Sequence, residues 1–272
     1  MEATISDDDG TSYTSGGSSG ITKSRYVDPA GGTIEKRFKT PDGFVRVAVP
    51  LGSFAEYLRG PPLKPDGSPV LYFDGRTKAN YGVYEAVVAV DVGPRDLQQC
   101  ADAVMRLRAE YLFKNGRFDE IVFYFANGFK ADFKTWMEGY RIVVEDNRSR
   151  WVKSAVPSGA YQDFRKYLDM VFAYANTVSL AKQMVPVEIS KMTIGDVLID
   201  QGHAVIVVDM AENRSTGEKV FMIAQSYMPA QDIQVLKNPN DLHLSPWYSL
   251  DCGETLRTPE WTFTRKDLRR FR

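Results

Sequence analysis

The sequence has 272 residues, 43% hydrophobic and 25% charged, with 34 Lys+Arg against 35 Asp+Glu and a net charge of −1. That content suits one large folded domain, excludes a wholly disordered chain and argues against a dedicated nucleic-acid binder; no run reaches the roughly 18 apolar residues of a membrane span. Two cysteines, Cys100 and Cys252, and two histidines, His203 and His243, provide neither a disulfide scaffold nor a histidine-rich metal centre.

Residues 1–33 carry Asp7-Asp8-Asp9-Gly10 and then a Gly/Ser-rich run to Gly20, and they read as a flexible tail; residues 34–272 read as a single domain. Met1 is followed by acidic residues, without the basic and apolar regions of a signal peptide. The start is therefore either a floppy cytoplasmic leader or the spacer left after an export signal and lipid anchor, and the spacer-like composition favours the second. Ser53-Phe54-Ala55-Glu56 predicts a capping box and a short helix to Arg59, stopped at Gly60-Pro61-Pro62. Val70–Asp74 and Tyr84–Val92 predict strands, and Gly93-Pro94 a helix running to Phe113. Ile121–Phe125 and Phe129–Phe133 flank Asn127-Gly128, which predicts a hairpin with a type I′ turn. A long helix is expected over Tyr161–Met184, with Phe164, Leu168, Val171, Phe172 and Ala175 on one face. Four strands follow, at Asp196–Ile199, Ala204–Met210, Val220–Ala224 and Ile233–Leu236, and a last short helix at Arg265–Phe271. This order is α+β.

The stretch most suggestive of chemistry is Gly195-Asp196-Val197 through Gly202-His203-Ala204-Val205, a strand, a tight turn and a second strand headed by histidine. A histidine there is held rigidly, and the next strand ends in Gln225, an amide able to orient the ring. Cys100 is the candidate nucleophile, placed by the expected helix boundary in the second helical turn. Against that role, Leu97, Cys100, Ala101, Val104, Leu107 and Tyr111 form one apolar stripe, where a cysteine ordinarily serves as a small core hydrophobe. Arg106, Arg108 and Glu110 read as the solvated face of that helix, and Asp196, Asp200 and Asp209 as solvated strand-end carboxylates. Trp136, Tyr227 and Trp247 are candidate stacking surfaces for a glycan or peptide. No cofactor motif is present: no phosphate loop and no Gly-x-Ser-x-Gly elbow.

The Gly-Asp…Gly-His pattern, with cysteine, histidine and amide in that order, resembles the papain-like cell-wall amidases and endopeptidases of the CHAP and NlpC kind. The resemblance implies a papain-like antiparallel sheet packed against helices, Cys100 as nucleophile, His203 as base and Gln225 as orienter. The longer stretches Leu97–Ala103, Met105–Leu112, Ala224–Gln231, Ser245-Pro246-Trp247-Tyr248 and Thr258-Pro259-Glu260-Trp261 resemble a bacterial, often exported, family labelled only as a domain of unknown function. The joint expectation is a cell-envelope hydrolase of amide bonds in a peptide or glycopeptide, without nucleic acid, cofactor or metal. The competing expectations are an inactive binding or structural protein on the same scaffold and, less favoured by the histidine count, a metal hydrolase using His203 with Asp200 or Asp209.

Overall fold

The computed structural model describes residues 24–272. Most of the expected tail lies outside them, but residues 24–33 belong to the folded body. Tyr26 is buried, Val27 bridges to Phe38, and the Thr33 hydroxyl caps the first helix by accepting from Lys36 N–H. That helix, α1 (Ile34–Arg37), leads to β1 (Val45–Arg46) and α2 (Phe54–Arg59), where Ser53 Oγ accepts from Glu56 N–H as the capping pattern predicts.

β2 (Tyr84–Val87) is shorter than predicted, and the next helix, α3 (Cys100–Lys114), begins six residues after Pro94. Gly93 has φ of 85°, and the intervening residues form open turns. What starts α3 is Asp102, whose carboxylate accepts the N–H of Gln99 at 3.1 Å, so Cys100 is the first helical residue and not a second-turn one.

β3 (Val122–Tyr124) and β4 (Lys130–Asp132) form the expected hairpin, but only Gly128 at its tip has a positive φ, so the loop is a type I turn closed by a left-handed glycine. After α4 (Phe133–Met137) comes a hairpin absent from the sequence reading, β5 (Tyr140–Glu145) with β6 (Arg148–Lys153). Its tip, Asp146-Asn147, has φ of 47° and 61°, the type I′ geometry assigned above to Asn127-Gly128. The predicted helix 161–184 is two, α5 (Tyr161–Tyr174) and α6 (Thr177–Lys182), because Asn176 caps the second through a reciprocal pair with Ser179.

The rest builds one sheet. β7 (Met184–Pro186), β8 (Val197–Ile199), β9 (Ala204–Glu212), β10 (Lys219–Gln225) and β11 (Gln234–Leu236) precede β12 (Tyr248–Ser249), a small β13 (Thr255–Arg257)–β14 (Thr262–Thr264) hairpin and β15 (Leu268–Phe271). The order is β2-β11-β10-β9-β8-β15-β7, antiparallel throughout, with β1 extending β9 and β12 extending β10. β15 corrects the predicted C-terminal helix: a strand site between β8 and β7 overrides local helical preference. β9 is buried at every position but its last, and β10 at every position but its first. Such unbroken burial means both sheet faces are covered. α2 and α3 both pack on β9, which brings the start of α3 to the start of that strand. The fold is thus a single α+β body with a large antiparallel sheet.

Candidate functional site

Asp200, Gly202 and His203 make the turn between β8 and β9. Asp200 Oδ1 accepts the N–H groups of Gly202 and His203 at 2.7 and 2.8 Å, and Oδ2 accepts from Trp261 Nε1 at 2.9 Å. Burial would raise this carboxyl, but the bonds from Trp261, Gly202 and His203 hold it below its ordinary value. Position 202 must be glycine because a Cβ there would come within 2.7 Å of the Trp261 indole.

The His203 ring bonds through Nε2 to Gln225 Oε1 at 2.8 Å, Gln225 Nε2 donates to Glu260 Oε2 at 2.7 Å, and Lys78 Nζ reaches the same Glu260 oxygen at 2.6 Å. This chain assigns the tautomer. Glu260 can only accept, so Gln225 turns its NH2 to Glu260 and its oxygen to the imidazole, and His203 Nε2 therefore carries the proton. Nδ1 keeps its lone pair. Burial pulls the His203 pKa below 6.5 against the opposing bond to Gln225, which leaves a neutral ring at neutral pH.

Cys100 stands at the start of α3, where the backbone N–H groups of Ala101 and of Ala204, the residue after the histidine, favour its thiolate form. The fold therefore sets the thiol against the His203–Ala204 peptide. Burial pushes the thiol up to about 11 in spite of those donors, so Cys100 rests as an uncharged thiol. The structure thus brings His203 and Gln225 into hydrogen-bond contact and sets Cys100, at the start of α3, near the start of β9.

The site differs from expectation in its access. A catalytic base must meet its substrate, but His203 is 1% exposed and Cys100 6%. Three rings enclose the histidine: Tyr227 at 4.7 Å, Trp261 at 5.5 Å and Phe263 at 6.0 Å between centroids. Tyr227 is half-buried and follows Ser226, whose hydroxyl donates to the carbonyls of Gln98 and Gln231 and pins the loop base. Met228 and Pro229 beyond it are exposed. Replacing Tyr227 by Ala should therefore uncover the thiol. Alkylation of Cys100 by iodoacetamide, followed by peptide mass mapping, should speed up by roughly tenfold or more, equivalent to easing an opening step by about 1.4 kcal/mol. An unchanged rate would show that Tyr227 is not the cover.

Of the other expected stacking residues, Trp136 and Trp247 are 4% and 0% exposed and are not among the rings around His203. Trp136 packs on Tyr167 beneath the Arg141 guanidinium, and the Trp247 indole donates to Lys39 O, so both are structural. Arg106 is also buried and not solvated: it donates to Glu110, Gln98, Asp91 and Tyr161. Asp196 and Asp209 are buried ion-pair partners, of Arg270 and of Arg46 with Arg59. Cys252 is half-buried near the β13 hairpin, and among the described residues no group of His, Cys, Asp or Glu could hold a metal ion. The sequence reading missed Glu260, Lys78 and Phe263. Glu260 lay inside a quoted motif, whereas nothing about Lys78 in the sequence signals its buried pairing across the domain.

No helix among the described residues is long and apolar enough to cross a membrane. The family described as a domain of unknown function (4846) matches residues 34–270. No curated protein and no solved structure matches the chain.

Proposed function

The chain belongs to that family of unknown function, and from the geometry of Cys100, His203 and Gln225 we propose that it is a papain-like thiol hydrolase of amide bonds. The observation that carries this reading is the pairing of a helix-initial cysteine with the His203–Ala204 peptide, together with a tautomer that leaves Nδ1 free as a base. Nδ1 takes the thiol proton as sulfur attacks the amide carbonyl. The N–H group of Cys100, which lacks an intrahelical partner at the helix start, is a donor for the oxyanion. Collapse expels the amine with the proton from His203, and water then cleaves the thioester by the reverse relay. Gln225 stabilises the imidazolium without adding charge, and the Glu260–Lys78 pair fixes Gln225.

The likeness to CHAP and NlpC enzymes and to an exported bacterial family supports cell-wall peptide as substrate and the envelope as location, with a lipid anchor in a precursor. The test is incubation with purified peptidoglycan, followed by mass spectrometry of the soluble fraction and assay of new amines. Muropeptides released by the wild type and not by Cys100→Ala are the expected result. Sedimentation with peptidoglycan but no released product favours the second reading, a binding protein on the same scaffold. The enclosed imidazole is the observation on that side.

A further inference from the structure

The C-terminal half of α3 borders a cavity of about 580 Å³, within the roughly 300–1,000 Å³ typical of ligand sites. Arg108 and Leu112 lie eight and twelve residues beyond Cys100, which places the cavity about 12–18 Å along the helix from the thiol. One wall is the run from Val122 to Ala126, and the opposite wall is α6, through Val178 and Lys182.

The hydrogen-bond phase of the β3–β4 hairpin decides what the first wall offers. Phe133 N–H donates to Ile121 O, and Phe125 N–H to Phe129 O, and the register pairs Phe123 with Ala131. In an antiparallel pair the bonded residues alternate, so 121, 123 and 125 spend their backbone groups on the hairpin. Val122 and Tyr124 then turn their N–H and C=O groups outward, toward the cavity they line, and no described residue pairs with them. A short, open strand edge over an apolar floor of Leu112, Phe123 and Phe125 is the arrangement that receives an added strand.

Charge selects the occupant. Among the described residues Arg108 makes no salt bridge with a carboxylate; its guanidinium lies 5.1 Å from the Phe54 ring, 5.5 Å from Tyr111 and 5.4 Å from Phe271, which hold it in place. Lys182 is exposed and has no ion-pair partner among the described residues, and the nearby Glu120 is already engaged by Nε and Nη2 of the Arg117 guanidinium. We infer that this groove binds an extended acidic peptide, which pairs its backbone with the outer edge of β3 and sets carboxylates against Arg108 and Lys182. The inference is independent of the chemistry at Cys100.

The probe is a fluorescein-labelled Asp-Val-Thr-Val-Asp-Asp peptide, followed by fluorescence anisotropy against the whole chain. Saturable binding is expected, weakened by added salt and by Lys182→Glu. N-methylating alternate backbone nitrogens of the peptide should weaken it by about tenfold or more, as should Tyr124→Pro, the scale of losing one or two backbone hydrogen bonds. Proline suits position 124 because the N–H removed is not part of the hairpin ladder; an unchanged circular dichroism melt verifies the fold. If that variant does not fold, the methylated peptide decides alone. Absence of saturable binding overturns the proposal, and so does equal affinity for the methylated peptide, since that would mean a groove that takes side chains or an apolar anion without strand pairing.

Discussion

Replacing Cys100 by Ala should reduce peptide release from peptidoglycan by at least about 10⁴-fold, the scale seen when the nucleophile of a concerted triad is removed. The melting temperature should stay close to that of the wild type, because only one sulfur atom leaves a site whose remaining hydrogen bonds run through His203, Gln225, Glu260 and Lys78. His203→Ala should be as inactive but less stable, since an enclosed ring packed on Tyr227, Trp261 and Phe263 leaves a cavity and strands the Gln225 oxygen. The pH dependence separates this neutral pair from a thiolate–imidazolium pair. With the thiol raised to about 11, Cys100 alkylation should climb about tenfold per pH unit through pH 7 to 10 and level only near 11. The histidine acts in the opposite range. Its folded pKa lies below 6.5, so the unfolded chain takes up the proton first, and stability falls as pH drops from about 6.5 toward the lower folded value. Activity should fall over the same acid range as the base is protonated. A Cys100→Ala protein that still cleaves would remove the proposed nucleophile, and an alkylation rate that levels near pH 8 would replace the neutral pair by a thiolate–imidazolium pair.

Asp209→Ala should destabilise the fold by about 3–5 kcal/mol, the cost of leaving buried cations without their counter-charge. Asp209 is fully buried in β9 and accepts from Arg59 Nε at 2.6 Å, Arg46 Nε at 2.7 Å and the N–H of Met210 at 2.8 Å. Those two arginines tie α2 and β1 to the central strand, and Arg59 also donates to the carbonyls of Val47 and Met210. Asp209→Asn should lose much of the same stability, because its NH2 would face a guanidinium. Urea denaturation with an unchanged slope is the measurement. A loss under about 1 kcal/mol would show that the arginines find water once the carboxylate is gone.

The parts of this fold legible in the sequence are those fixed by local pattern. The apolar runs of β8 to β11 and the Gly202-His203 turn stand where the residues indicate, as does Gln225 at the end of its strand. What misled was a local signal outcompeted by another, or by the sheet. Pro94 reads as a helix start, but the Asp102 carboxylate sets the boundary at Cys100, and that six-residue correction moves the thiol from a mid-stripe position to the helix terminus. Asn176 breaks a continuous apolar face with a cap that period counting does not see. The rings closing over His203 come from Tyr227, Trp261 and Phe263, on segments whose mutual approach depends on the whole sheet, so no spacing rule announces an occluded imidazole.

The position of β15 bears on solubility. Paired on one side with β8 and on the other with β7, it leaves neither of those strands with a bare inner edge. Until residues 268–271 dock, the fully apolar Val197–Ile199 presents unpaired amide and carbonyl groups, the surface on which one chain recruits another into aggregates. The last strand thus covers an edge otherwise open to another chain, and clipping it should produce protein that self-associates before it loses the helices packed on β9.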